Sequence, residues 1–355
     1  MSEEKKYFTR LGDGYGIWMT EAEIREDIEA GVADAVKRGK VPPLSEEEKQ
    51  RLFEIITMEG IIVSVKQGDQ VVLSTDHGSA TLEREAGAPI AKEVQTQLLE
   101  RAFGHDSTDF GFTEYSYKAI KSIASYEAAR VNRALDGSII PVLYGAMPNL
   151  GFYTKPDGPV ENWAELLPQG KIKEAFKAQE EAVEHAVHDI VFVADTMYDA
   201  GADGVNMDTA GASGDCDFQA ALLACEEIKK RHPGPEFGVE IGMAGEFVLG
   251  MHGKLKYKGE RLAGMYAHDQ VRMAEAAGAT IFGAVVNTNT SMTFPWNIAR
   301  VVTFIKQCVK NANKIAVHAN VGMGVGGIPM AEILAPDIVS RADKALIEIA
   351  KIDGL

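Results

Sequence analysis

The stretch DAGADGVNMD, residues 199–208, leaves what reads as a helix end, passes through Gly201 and enters a short apolar strand. Glycine is the preferred residue just past a helix C-terminus. The phrase returns as AAGATIFGAV over 276–285, around Gly278. It starts once more as EIAKIDGL over 348–355, where the sequence stops inside the strand. A repeating helix-to-strand joint with no hairpins between is the pattern of parallel strands and crossover helices. Working outward, strands are expected at 139–144, 204–207, 238–241, 280–286 and 314–318. Helices are expected at 172–200, 217–231, 263–277 and 296–311, and glycine-rich loops at 211–214, 242–253 and 322–327 follow strand ends. Loops at the C-terminal ends of parallel strands carry function in (β/α)8 barrels.

The expected fold class is therefore α/β, a (β/α)8 TIM-type barrel over 113–355. About six strand positions, the interrupted one included, fall short of eight, so the barrel reads as truncated before its last strands. An open doubly wound sheet is the alternative and needs no closure. Residues 1–112 read as an N-terminal α+β extension, with helices at 21–36 and 45–58. The second opens on Ser45-Glu46-Glu47-Glu48, a capping-box pattern. Apolar runs at 61–65 and 71–74 flank Gly68-Asp69 and suggest a hairpin.

Composition narrows the function classes. Of 355 residues, 46% are hydrophobic and 25% charged, as in ordinary globular proteins. A net charge of −16 argues against nucleic acid, which needs clustered Lys and Arg, and suits a cationic substrate. No segment approaches the ~20 apolar residues of a membrane span, and Met1-Ser2-Glu3-Glu4-Lys5-Lys6 lacks a signal-peptide apolar region. Cys216, Cys225 and Cys308 are few and unpatterned, which points to a reduced, cytoplasmic setting with no disulfide framework or zinc site.

Six phrases together resemble one family. They are YGAMPNLGFYTKPDGP (144–159), GADGVNMDTAGASGDCD (201–217), GMAGEFVLGMHG (242–253), FGAVVNTNTS (282–291), WNIARVVTF (296–304) and VGMGVGGIPM (321–330). They are similar to the dimethylamine:corrinoid methyltransferases, and the resemblance runs from RLGDG at Arg10 to Leu355. That family carries pyrrolysine, encoded by an in-frame UAG, just after a phrase like the one that ends here. The resemblance implies pyrrolysine directly after Leu355, with the last barrel strands and a helical part beyond it. It also implies transfer of a methyl group from dimethylamine to the Co(I) corrinoid of a partner protein, releasing monomethylamine, as the first step of methylamine use in methanogenesis. The corrinoid belongs to the partner, so no cofactor or metal is expected on this chain. A homo-oligomer is expected at full length. The 355-residue form is itself expected to be inactive.

Such chemistry needs carboxylates at strand ends to hold and shuttle protons. Glu240 lies inside an apolar strand, where a carboxylate is costly unless paired or functional. Asp208 follows the strand at 204–207 and reads as either a catalytic group or a turn or cap residue. Glu246 is the third candidate, or caps the following turn. Asn206, Asn287 and Asn289 are candidates for substrate binding, the last two equally for holding their loop. GMGVGG at 322–327 fits G-x-G-x-x-G, but Pro329 follows at once and no acidic residue ends a second strand. A backbone-dense loop is the reading preferred there over a dinucleotide site. His252, His268 and His318 lack metal-ligand spacing. Two other readings remain: an inactive truncated product, and a barrel enzyme acting without pyrrolysine on another methyl donor.

Overall fold

The computed structural model describes residues 4–76, 91–211, 214–250, 252–331 and 334–355. Within the expected glycine-rich loops, Ala212, Ser213 and Met251 lie outside the described residues. The chain divides into two units, one of Met1–Val72, Tyr266–Val271 and Gly283–Leu355, the other of Leu73–Met265 and Arg272–Phe282. This division differs from a boundary at 112/113, because the chain end returns to the N-terminal segment.

The second unit holds β3 (Ser74–Asp76), β4 (Ser107–Glu114), β5 (Val142–Met147), β6 (Gly204–Met207) and β7 (Gly238–Ala244), each paired in parallel with the next. Its helices are Lys92–Phe103, Ile120–Gly137, Trp163–Leu166, Ile172–Asp199 and Asp215–Arg231. A short hairpin, β8 (Lys256–Tyr257) with β9 (Glu260–Arg261), lies in the loop after β7. β10 (Ile281–Ala284) begins in this unit, where Thr280 N donates to Val239 O at 2.8 Å, and ends in the other. With β11 (Ala316–Ala319) the strand order is β11-β10-β7-β6-β5-β4-β3, a TIM-type α/β architecture. The joints form as the sequence predicts. Gly201 (φ +90) and Gly278 (φ +95) are left-handed, and the next residue closes a six-residue turn, Ala202 N to Met197 O and Ala279 N to Ala274 O, both 3.0 Å.

The first unit opens with the hairpin β1 (Lys6–Arg10) and β2 (Gly16–Thr20). Capping boxes from Thr20–Glu23 and Ser45–Glu48 start Glu21–Gly39 and Glu46–Ile56. The buried helix Phe294–Asn311 packs on the first of these so closely that a Cβ at Gly31 would overlap the Trp296 carbonyl oxygen. Gly31→Ala is therefore expected to destabilise the unit by about 1–3 kcal/mol of overpacking, despite a helix-propensity gain of about 1 kcal/mol. A thermal melt reads the net sign, and a raised midpoint would contradict this packing.

The hairpin expected across 61–65 and 71–74 does not form. The backbone groups it would need are taken: Val63 N by the Ser340 hydroxyl, Ile61 O by Arg341 and Ser64 O by Lys344. Val72 pairs instead, in parallel, with Gly354. Gly354 also bridges His318, and its missing side chain makes room for the His318 ring. Asp353 Oδ2 accepts from Val317 N at 2.9 Å, so the phrase that ends the sequence is tied to β11 by backbone and side chain alike. The sequence count did not include β3 and β4, of which β3 lies before 113 and β4 runs across it. The strand at 139–144 is shifted to Val142–Met147, because Pro141 has no N–H to donate and Ile139 stays 92% exposed. Among the described residues, no helix is long and apolar enough to cross a membrane.

Candidate active site

Parallel register places Gly145 of β5 beside Asn206 of β6, and Asn206 beside Glu240 of β7. Register partners in a sheet point to one face, and so do residues two apart on a strand, which adds Asp208. Asp208 N still follows the ladder, donating to Ala146 O at 2.9 Å. All three polar side chains are buried: Asn206 and Asp208 are 4% exposed and Glu240 8%. Asp109 of β4 joins them, its Oδ2 accepting from Asn206 Nδ2 at 2.6 Å. Gly145 interposes no side chain between these two.

Burial pushes the Asp208 carboxyl up to about 6, against the lowering effect of Thr209 N, which donates to its Oδ1 at 2.7 Å. Thr209 (φ +52) and Met243 (φ +48) both adopt left-handed backbone, rare for non-glycine residues and enriched at functional sites. They turn the chain as β6 and β7 give way to their loops.

The loops are anchored by the first turn of the helix Asp215–Arg231. Asp215 Oδ2 accepts from Leu255 N at 3.2 Å, and Asp217 Oδ1 from Leu150 N at 3.1 Å. A Cβ at Gly253 or Gly250 would press on Ala263, so both glycines keep the loop close. The carboxylates of the phrase GDCD thus hold loops, and the thiol between them, Cys216, is buried and pushed well above its ordinary range by desolvation. Glu246 is half-buried in the loop just past β7.

Asn287 and Asn289 belong to the other unit, beyond β10, and both are exposed. Asn289 holds its own loop: its Oδ1 accepts from Ser291 N at 3.0 Å and its backbone pairs with the Asn297 amide. Gly322 and Val325 exchange backbone hydrogen bonds in a tight turn, and the next described helix begins only at Pro336. Among the described residues, this turn does not lead directly into a helix as a dinucleotide-binding turn does. Among the described residues, no three His, Cys, Asp or Glu side chains gather as metal ligands.

The sequence model of the family described as dimethylamine methyltransferase (Dimeth_PyL) matches residues 5–355. The chain belongs to that family. Solved structures give looser likenesses. A phosphoenolpyruvate phosphomutase from Streptomyces platensis subsp. rosaceus is 12% identical over 83% of this chain and 77% of its own, with a TM-score of 0.37. A GH18 chitinase from Pseudoalteromonas aurantia is 14% identical over 70% and 79%, with a TM-score of 0.38. The carboxyl transferase domain of Rhizobium etli pyruvate carboxylase is 10% identical over 93% and 50%, with a TM-score of 0.39. Likenesses this loose carry no argument.

In this dimethylamine methyltransferase-family chain, Asn206, Asp208 and Glu240 are candidates that the sequence names and that the strand register brings to one face, whereas Asp109 is not among the sequence's candidates. The available signal for Asp109 was a lone carboxylate inside STDFGF, between residues with strand propensity. Asp208 gives a test of its own. Folding raises its pKa from 3.8 to about 6, so neutral Asp208 favours the folded state below pH 3.8. That contribution is lost as pH rises through about 6. Asp208→Asn should therefore stabilise the protein at pH 8 by up to about 3 kcal/mol and change little near pH 4. Thermal melts of both proteins at the two pH values check this. An equal difference at both would contradict a buried, titrating Asp208.

Proposed function

We propose that this protein transfers a methyl group from dimethylamine to the Co(I) corrinoid of a partner protein, in the cytoplasm, as the first step of methylamine use in methanogenesis. The C–N bond breaks with its electron pair left on nitrogen, monomethylamine departs, and cobalt's pair forms the new Co–C bond. The observation that carries this reading is the match of the dimethylamine methyltransferase family over residues 5–355. The buried acidic face of Asn206, Asp208 and Glu240 supports it, because a protonated amine is a cation and needs carboxylates or amide oxygens around it.

Glu240 would hold the ammonium and keep its proton on nitrogen while the C–N bond breaks, so that monomethylamine leaves as a neutral amine, and Asp208, with a pKa near 6, would exchange protons with that product close to neutral pH. The family resemblance supports a pyrrolysine directly after Leu355, whose ring imine would hold the amine as an adduct.

The coding DNA past codon 355 and the activity of the 355-residue chain test the reading together. An in-frame UAG with an open frame beyond it, and no methyl transfer by the shorter chain, are expected. A UAA or UGA, or full activity from the 355 residues, would favour an enzyme working on another methyl donor without pyrrolysine.

A further inference from the structure

Asn206 is 4% exposed, yet among the described residues its Oδ1 has no hydrogen-bond partner. A buried carbonyl left unpaired costs on the order of 1–3 kcal/mol, so an unpaired one beside carboxylates calls for an explanation. Its other end is engaged. Asp109 Oδ2 lies 2.6 Å from Nδ2, and a carboxylate accepts while only the amide nitrogen donates. This fixes which way the amide faces. A Cβ at Gly242 would overlap Oδ1. The chain keeps a glycine beside this oxygen although its backbone there is not left-handed.

We propose that Asp109 is a positioning residue, holding the Asn206 amide so that Oδ1 accepts an N–H of the substrate ammonium. This rests on the dimethylamine reading and adds to it a basis for selectivity. An acceptor in a buried site rewards a cation that carries N–H and leaves a quaternary one unpaired. In register, Glu240 lies beside Asn206, so acceptor and anion would face the same nitrogen.

The test is calorimetric binding of dimethylammonium chloride and tetramethylammonium chloride to the full protein. The ratio of the two affinities is the readout, because removing the Asp109 charge weakens any cation. Wild-type protein is expected to prefer dimethylammonium. Asp109→Asn lets the Asn206 amide reverse, since the amide introduced on β4 can donate to Oδ1, and should cut the preference about tenfold or more. The swap Asp109→Asn with Asn206→Asp restores a donor on β4 facing an acceptor on β6, and should restore the preference. Gly242→Ala, which leaves both partners in place but crowds Oδ1, should lose it, and it serves if the Asp109 variant fails to fold.

An unchanged ratio in Asp109→Asn or Gly242→Ala, or a ratio not recovered in a well-folded swap, overturns the inference while the dimethylamine reading stands. Wild-type protein with no preference overturns it too. Wild-type protein that binds neither cation overturns the dimethylamine reading as well.

Discussion

Glu240→Gln is expected to lower the rate of methyl transfer by roughly 10²–10⁴-fold, the range typical of losing a positioned acid or base. Glutamine keeps the size and hydrogen-bonding outline of the side chain and removes its charge and its proton affinity. Glu240 sits in the middle of β7, in register with Asn206, at 8% exposure. A carboxylate kept at such a place is held against a desolvation cost, and glutamine, of the same size and outline, should leave the fold in place. Loss of rate with an undiminished melting temperature would separate chemistry from structure. A variant as fast as wild type would remove Glu240 from the mechanism.

The largest expected effect on stability is at Arg341. Its guanidinium is buried and donates to the carbonyls of Ile56 (3.2 Å), Met58 (2.6 Å), Gly60 (2.9 Å) and Ile61 (3.2 Å), and to Asp337 O in its own helix (2.8 Å). One side chain therefore closes the C-terminal end of Glu46–Ile56 and fixes the segment that follows it. Desolvation pulls its pKa below the ordinary arginine value, a cost the five acceptors offset. Arg341→Met keeps the bulk of the stem and removes every donor. Each stranded acceptor costs on the order of 1–3 kcal/mol where water cannot reach it. Met58, Gly60 and Ile61 lie where solvent can, so about 3–5 kcal/mol is the expected total. Thermal or urea unfolding measures it, and a loss below about 1 kcal/mol would mean that solvent satisfies the whole segment.

Legibility followed the range of the interactions. The joints at Gly201 and Gly278 and the capping box at Ser45 were readable because each is settled within one helical turn. Glu240 was readable because a charge inside an apolar strand contradicts its surroundings. β3 and β4 were not. β3 has three residues, and β4 is interrupted at Gly111 (φ +92), where its register with β5 shifts and the alternation of a regular strand is lost. The false hairpin had the right apolar runs and the right turn residues. What defeated it were side chains 280 residues away, Arg341 and Lys344, which claim its carbonyls. Asp109 was hidden for the same reason, since its partner lies 97 residues on. Local grammar shows where strands end; it does not show which distant polar group meets them.

The measurement that tests the account most directly follows the visible spectrum of a Co(I) corrinoid protein. It is mixed with dimethylamine and the protein made from its complete gene. Conversion to methyl-Co(III), with one monomethylamine released per cobalt methylated, is the predicted result. An unmethylated corrinoid in the presence of folded, dimethylamine-saturated protein would contradict it.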